Sequence, residues 1–277
     1  MGSAQFGTGY GIHVQNPPVN NLELTQILNL AKKNGIFSID CAQSYLKVTE
    51  NLAEQSQIVN FKISSKIEYI ESQELSILRS LQNSLSRLKI NSYESILIHN
   101  WSELSFSERN RSINFLRSIQ DSGITLKIGI SVYKTEELEE FNEKIEVIQA
   151  PLNFFDLRFL DNIRVLQIRD FGTEFIARSI FLQGILLHHN KAPKQFQNEI
   201  SKFKMYAEEN NFSFVQAALS IYDSQDVFSK LIVGVNSIRE LFEIISCPIS
   251  SPRINSTNYL PILSEDLIDP RRWSLSP

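Results

Sequence analysis

The chain has 277 residues, of which 42% are hydrophobic and 21% charged, and its net charge is -4. This size allows a substantial buried core, and the acidic balance excludes a protein that grips nucleic acid through a basic face. No apolar run is long enough to span a membrane, and the first residues lack the pattern of a secretory signal. We therefore expect a cytoplasmic protein with neither nucleic acid nor membrane as a partner.

The glycine-rich start of the chain, residues 2–11, is not a dinucleotide-binding fingerprint. No strand precedes its glycines, and Pro17 and Pro18 follow where the helix of such a motif would begin. We expect a turn or a loop that covers one end of the fold.

Short apolar runs alternate with longer segments of helical spacing through the rest of the chain. A predicted helix over residues 21–34, stopped by Gly35, leads to the first run. The alternation predicts a parallel α/β sheet, and eight strands are the number that a closed barrel needs. We therefore predict a (β/α)8 TIM barrel. Its strands are expected at residues 37–42, 61–66, 95–100, 126–132, 146–151, 174–179, 219–222 and 230–234.

The longest predicted helix covers residues 71–88. Its leucines at positions 75, 78, 81, 85 and 88 recur at three- and four-residue spacing, which predicts a stripe that faces the core. Beyond the last strand, residues 248–277 carry five prolines and are expected to form an irregular C-terminal arm. No linker interrupts the alternation before that arm, so we predict one barrel domain over residues 1–277 with the arm packed on it.

Four polar side chains that suit carbonyl reduction follow the ends of the first three predicted strands. They are Asp40, Tyr45, Lys66 and His99, and the carboxyl ends of barrel strands share one mouth. Reduction needs a hydride at carbon and a proton at oxygen, and Tyr45 is the candidate acid. A free phenol has a pKa near ~10, so the Lys66 ammonium would favour the phenolate, with Asp40 as its partner and His99 orienting the carbonyl.

These residues give the chain a resemblance to the aldo-keto reductases. Residues 39–45, 65–66 and 97–99 match the catalytic Asp, Tyr, Lys and His of that family in order and context, and the match runs nearly end to end. The resemblance implies a barrel that binds NADPH or NADH without a Rossmann fold, with NADPH slightly favoured. It places Ser131 and Gln149 at the nicotinamide carboxamide. The other implied cofactor contacts are Arg178, Gly234, Asn236, Ser237, Arg239 and Glu243.

The resemblance also extends to a bacterial branch linked to surface-polysaccharide and sugar-nucleotide pathways. Residues 3–7, 151–156, 178–184 and 269–273 carry it. It implies a small-molecule carbonyl substrate, and sugars and sugar-derived carbonyl compounds are among the candidate substrates. Aromatic residues in loops beyond the strand ends would form the substrate pocket, and we select Tyr10 and Trp101. We expect a monomer or a weak homodimer.

Several positions depart from the family pattern. Leu46 replaces the glycine that commonly follows the catalytic Tyr, and Arg178 replaces an aromatic ring that stacks on the nicotinamide, where it would repel an oxidised, cationic ring. Glu240 replaces a basic residue that grips the 2′-phosphate of NADPH, with Arg239 beside it as a substitute. Because of these departures a second interpretation stays open, in which the barrel binds the cofactor but acts as a sensor or scaffold.

A third reading is a barrel aldolase or isomerase that uses Lys66 as a Schiff-base amine. The pairing with Asp40 disfavours it, because a protonated amine is not a nucleophile. The two cysteines, Cys41 and Cys247, have no partners at metal-ligand spacing. We therefore expect free thiols and no metal site.

Overall fold

The computed structural model describes residues 1–7, 18–45, 47–139, 141, 144–248, 265–269 and 272–273. Within these residues, seven parallel strands form one sheet in which each strand pairs with the next along the chain. The strands are β1 (Ser38–Asp40), β2 (Lys62–Ile67), β3 (Tyr93–Ile98), β4 (Thr125–Ser131), β5 (Val147–Pro151), β6 (Glu174–Arg178) and β7 (Lys230–Leu231). The helices are α1 (Asn21–Lys33), α2 (Val48–Ala53), α3 (Glu74–Leu88), α4 (Phe106–Asp121), α5 (Ile163–Asp170), α6 (Gln197–Glu209), α7 (Phe214–Asp223), α8 (Ile238–Ile245) and α9 (Glu265–Ile268).

Residues 1–3 close this sheet into a barrel. Gly2 forms parallel bridges to Asp40 at the end of β1 and to Gly234 beyond β7. Its N–H donates to the Val233 carbonyl at 2.7 Å, and the Ser3 N–H donates to the Asp40 carbonyl at 3.0 Å. The predicted barrel class is confirmed. The eighth strand position, however, is filled by the start of the chain, which we expected to be a covering loop.

The strand predicted at residues 219–222 is wrong, because this segment lies inside α7. Ser213 and Gln216 begin that helix with a reciprocal capping box, and Ala217, Ala218 and Ile221 are buried along it. A short apolar run is compatible with either a buried strand or a buried helix. The capping pair, which satisfies two backbone N–H groups at the helix start, decides for the helix.

The predicted leucine stripe is confirmed over the last three turns of α3. Leu81, Leu85 and Leu88 are buried, but Leu75 is 73% exposed. The buried position in the first turn belongs to Ile77, which lies four residues before Leu81 and therefore on the same face. The prediction for Leu75 is wrong because Leu75 lies six residues before Leu81, which turns it about 120° away from the buried face of the helix.

The interior of the barrel holds its own small apolar cluster, separate from the large core. Leu97, Val147 and Ile176 are buried together, and Ile232 packs against them. The wall is tight here, since a Cβ on Gly129 would lie 2.1 Å from the carbonyl oxygen of Val147. Only glycine lets β4 approach β5 this closely.

Most of the predicted C-terminal arm lies outside the described residues. In its described parts, Trp273 is buried, donates from its indole N–H to the Leu267 carbonyl at 3.2 Å, and lies 6.2 Å from the ring of Phe196. The course of the whole arm stays a prediction. Among the described helices, none combines the length and the apolar character that crossing a membrane requires.

Candidate active site

The predicted site residues lie one layer above the interior apolar cluster. Successive side chains of a strand point to opposite faces, so residues two apart share a face. Two residues beyond Leu97, Val147, Ile176 and Ile232, the chain carries His99, Gln149, Arg178 and Gly234. The alternation of the strands therefore directs these four predicted residues toward one mouth of the barrel.

A buried hydrogen-bonded network of Asp40, Lys66 and Gln149 forms the base of the site. Lys66 Nζ donates to Asp40 Oδ2 and, at 3.4 Å, to Gln149 Oε1. Gln149 Nε2 donates to Asp40 Oδ1 at 2.6 Å, which completes the ring. Lys66 is only 3% exposed, and a charge buried to this depth is tolerated because it is paired. The predicted Lys66–Asp40 pair is thus present, and Gln149 belongs to it.

Tyr45 lies close to this network. Lys66 Nζ is 6.0 Å from the centroid of the Tyr45 ring. Burial, and next the negative charge of Asp40, raise the pKa of Tyr45 above its ordinary value, against a smaller opposite effect of Arg178. Tyr45 therefore keeps its proton at neutral pH, as a proton donor must.

His99 and Ser131 complete the polar surface at the strand ends. The backbone N–H of His99 donates to the Ile67 carbonyl at 2.7 Å, which continues the pairing of β3 with β2 by one residue. Ser131 ends β4 and is 1% exposed. Both residues line the same cavity as Tyr45 and Lys66.

Arg178 brings a positive charge to this cavity. Its guanidinium stacks on Tyr133, 4.1 Å from the ring centroid, and donates to the Val132 carbonyl at 2.8 Å and to Ser179 Oγ at 3.3 Å. Its Nε is buried without a hydrogen bond. No carboxylate of the described residues forms an ion pair with it, whereas the charge of Lys66 is compensated by Asp40.

The start of α8 forms the far end of the cavity. Ser237 is the N-cap of this helix, and its Oγ accepts from the Glu240 N–H at 3.2 Å. Neither Ser237 nor Arg239, the predicted substitute for a phosphate-gripping residue, is among the residues that line the cavity. Four residues of this region line it, namely Gly234, Asn236, Glu240 and Glu243.

One cavity of about 530 Å³ extends from Tyr45 and Lys66 at the strand ends to Glu240 and Glu243 on α8. Ligand pockets typically enclose roughly 300 to 1,000 Å³. Two lining residues, Gln5 and Arg178, carry buried polar atoms without partners. A polar ligand would satisfy such atoms, so the residues present fit an extended, polar dinucleotide.

The described structure does not bring every predicted residue to the cavity. Trp101 is 3% exposed, its indole N–H donates to the Glu137 carbonyl at 3.4 Å, and it packs against Arg109 and Phe141. It is not among the lining residues and anchors the loop after β3. Tyr10 and Leu46 lie outside the described residues. In the described part of the chain, no three His, Cys, Asp or Glu side chains come together as a metal site requires.

Sequence reasoning missed several residues of the cavity wall, among them Tyr133 and Gln5. Tyr133 lines the cavity two residues beyond Ser131, and the same two-residue alternation that placed the strand-end residues could have predicted it. Gln5 lines the cavity beside Gly234, where a Cβ would lie 2.4 Å from its side chain. No signal in the sequence marked Gln5, because the glycine-rich start was assigned to a loop.

Comparison with known proteins places the chain in a family. The model of the aldo/keto reductase family matches residues 1–248. The aldo-keto reductase AKR11C1 from Bacillus halodurans, in its holo form, has a TM-score of 0.71 at 15% identity, over 91% of this chain and 86% of its own. The glycerol dehydrogenase AKR11B4 from Gluconobacter oxydans has a TM-score of 0.68 at 17% identity, over 91% and 86%.

A third solved structure, from Pseudomonas aeruginosa, has a TM-score of 0.66 at 18% identity, over 89% of this chain and 87% of its own. Curated protein sequences gave no significant match. At these identities the solved structures establish the fold alone. The family match, in contrast, spans all seven strands and the closing residues 1–3. The chain therefore belongs to the aldo/keto reductase family, whose members reduce carbonyl groups with NAD(P)H.

Proposed function

We propose that the chain reduces an aldehyde or ketone with NAD(P)H and that Tyr45 is the general acid. The observation that carries this proposal is the meeting of Tyr45, Lys66 and His99 in one cavity, with Lys66 held by Asp40. A proton donor, a cation that favours its conjugate base and a second polar group at the same mouth are the parts that carbonyl reduction requires.

Tyr45 holds the proton that the carbonyl oxygen receives. Its raised pKa keeps the phenol protonated at neutral pH, and the positive charge of Lys66 stabilises the phenolate that proton donation leaves. Asp40 keeps Lys66 charged and fixed. His99 orients the carbonyl oxygen toward Tyr45. Lys66 is engaged and almost fully buried, which disfavours its use as a Schiff-base amine.

The cofactor, when bound, supplies the hydride. Ser131 and Gln149 would hold its carboxamide, and Gln149 would do so from the network that it shares with Asp40 and Lys66. Arg178 would lie against the nicotinamide end. The turn of Gly234, Asn236 and Ser237 would lie at the adenosine end of the cofactor, with Arg239 and Glu243 as further contacts proposed from the resemblance.

The substrate that we propose is a sugar or a sugar-derived carbonyl compound. The support is the resemblance of residues 151–156 and 178–184 to the bacterial branch linked to surface polysaccharides. Polar groups from Gln5, Tyr133 and Ser179 line the cavity together with apolar walls, and this mixture suits a molecule with several hydroxyl groups.

A Tyr45→Phe variant tests the assignment of the acid. We expect kcat to fall by about 10²- to 10⁴-fold, because the phenyl ring cannot donate a proton, while the dissociation constants for NADH and NADPH stay within about twofold of the wild type. Turnover is measured by the absorbance of the cofactor against a panel of sugar aldehydes, ketoses and aromatic aldehydes.

The matched control is Tyr222→Phe, which removes a phenol from the partly buried side of α7, away from the cavity. Its turnover should equal that of the wild type. Full turnover in Tyr45→Phe would rule out Tyr45 as the acid. Nucleotide binding without reduction of any carbonyl in the panel would support the sensor or scaffold instead.

A further inference from the structure

Two carboxylates accept hydrogen bonds from backbone N–H groups at the start of α8. The Asn236 N–H donates to Glu240 Oε2 at 2.7 Å, and the Asn236 side-chain amide donates to the same oxygen at 3.1 Å. The Ile238 N–H donates across to Glu23 Oε1 of α1 at 2.5 Å. Free N–H groups at a helix start attract anions, but here two carboxylates of the chain have already taken them.

The geometry of Glu240 differs from that of an ordinary capping glutamate in the same chain. In α4, Glu108 reaches back to the N–H of its own N-cap residue, Ser105, at 2.8 Å, on an exposed surface. Glu240 stands at the same position relative to its N-cap Ser237 but reaches one residue further, to Asn236. It also lines the cavity, so its carboxylate faces whatever occupies that space.

The charges along the cavity are divided between its two ends. Its lining lysine and arginine, Lys66 and Arg178, lie at the strand ends, whereas Glu240 and Glu243 lie at α8. A phosphate placed at α8 would meet like charge and few available donors, and like charges at short range are unfavourable in a partly enclosed site. A hydroxyl placed there could donate a hydrogen bond to a carboxylate oxygen.

We propose that Glu240, supported by Glu23, makes this reductase select NADH over NADPH, because its carboxylate accepts a hydrogen bond from the 2′-hydroxyl of the adenosine ribose and repels a 2′-phosphate. This inference rests on the proposed function, since the adenosine end of the dinucleotide must reach α8. It reverses the sequence-based expectation that slightly favours NADPH. The physical reason is that Glu240 and Glu243 face the cavity, whereas Arg239 does not.

The test is a fluorescence titration of the purified protein with NADH and with NADPH. We expect NADH to bind at least about tenfold more tightly than NADPH. The Glu240→Gln variant keeps the shape of the side chain and removes its charge. It should reduce the ratio of the NADPH to the NADH dissociation constant by about tenfold, mainly through tighter NADPH binding. The control Glu108→Gln removes a capping carboxylate far from the cavity and should leave the ratio unchanged.

Calorimetry with AMP and with adenosine 2′,5′-bisphosphate isolates the 2′-phosphate and does not depend on the nicotinamide end. AMP should bind the wild type more tightly than the bisphosphate. A second variant, Glu243→Gln, gives the same comparison if Glu240→Gln does not fold.

Equal or tighter binding of NADPH by the wild type, or an unchanged ratio in a folded Glu240→Gln protein, would overturn the inference and leave the reductase proposal intact. Binding of neither dinucleotide would instead overturn the proposed function itself, and with it this inference.

Discussion

Arg178 brings an uncompensated positive charge to the part of the cavity at the strand ends. The charge of Lys66 is matched by Asp40, whereas Arg178 is held by a carbonyl, a hydroxyl and the face of Tyr133, none of which neutralises it. A reduced nicotinamide is neutral and an oxidised one is cationic. An uncompensated guanidinium therefore disfavours the oxidised form.

We expect an Arg178→Gln variant to bind NAD⁺ more tightly relative to NADH, by about tenfold, because one repulsive positive charge is removed. The measurement is the ratio of the two dissociation constants, obtained by fluorescence and by calorimetry. Arg169→Gln is the control, because Arg169 pairs with Asp170 and Asp226 outside the cavity. An Arg178→Gln ratio equal to that of the wild type would remove the electrostatic role assigned to Arg178.

At the scale of elements, charged side chains of three strands, β4, β6 and β7, meet at the end of the barrel opposite the site. Glu174 of β6 pairs with Lys127 of β4 at 3.3 Å and with Lys230 of β7 at 2.6 Å. Burial alone would raise the pKa of Glu174, but the hydrogen bonds and charges of Lys230, Ser229 and Lys127 outweigh it and lower that pKa. Burial would lower the pKa of Lys127, and Glu174 and Glu94 reverse this and raise it.

The direction of these shifts fixes the pH range in which the pairs stabilise the fold. A lowered carboxyl pKa contributes stability that is present above the ordinary value of 4.5 and is lost as the pH falls through the folded value. We expect Glu174→Gln to lower the free energy of unfolding by roughly 1 to 2 kcal/mol near neutral pH. Urea titrations from neutral to acid pH should show this difference shrinking below 4.5.

The control for Glu174→Gln is Asp170→Asn, which breaks an exposed pair on α5. Exposed pairs contribute little, so its free energy of unfolding should stay within about 0.5 kcal/mol of the wild type. A Glu174→Gln loss that is the same at every pH would contradict the electrostatic explanation.

The elements of this fold were predictable where one periodicity dominates. The helix expected over residues 21–34 is α1, and the strand ends carrying Lys66 and Ser131 lie as expected. The common mouth of parallel strand ends also predicted that Tyr45, Lys66 and His99 lie together, and all three line one cavity. The strand at 219–222 failed because four apolar residues do not distinguish the two periods.

On α8, prediction from the sequence stopped at the question of which side of the helix faces the cavity. Neighbouring residues such as Arg239 and Glu240 point about 100° apart on a helix. Sequence alignment therefore could not decide which of them faces the cavity. The contact of Glu23 with α8 could not be predicted either, because it depends on the tertiary packing of α1 against α8, which are far apart in the chain.

At the scale of the whole molecule, the closure of the barrel depends on a very short segment. Gly2 donates one backbone hydrogen bond to Val233, and Asp40 exchanges bonds with residues 1 and 3. By comparison, β2 and β3 are each six residues long. The joint between β1 and β7 therefore rests on few backbone hydrogen bonds.

A Gly2→Pro variant tests this joint, because proline has no N–H to donate to Val233. We expect a loss of about 2 to 3 kcal/mol in the free energy of unfolding. Gly2→Ala keeps the N–H and places its Cβ 3.2 Å from a methyl group of Ile232, so it should cost clearly less. Equal urea midpoints for the two variants would show that the hydrogen bond does not matter to closure.

The same joint couples folding to ligand binding. Gly2 and Ser3 on one side and Gly234 on the other all line the cavity, so a molecule that fills it touches both edges of the joint. Opening between β1 and β7 would break few backbone hydrogen bonds, so we expect it to be a low-cost local unfolding. A bound dinucleotide would have to be released before the joint could part, and its binding free energy therefore adds to the stability of the closed barrel. A ligand in the candidate active site would therefore also stabilise the closure of the barrel. Amide hydrogens along the joint should exchange more slowly as the cofactor concentration rises.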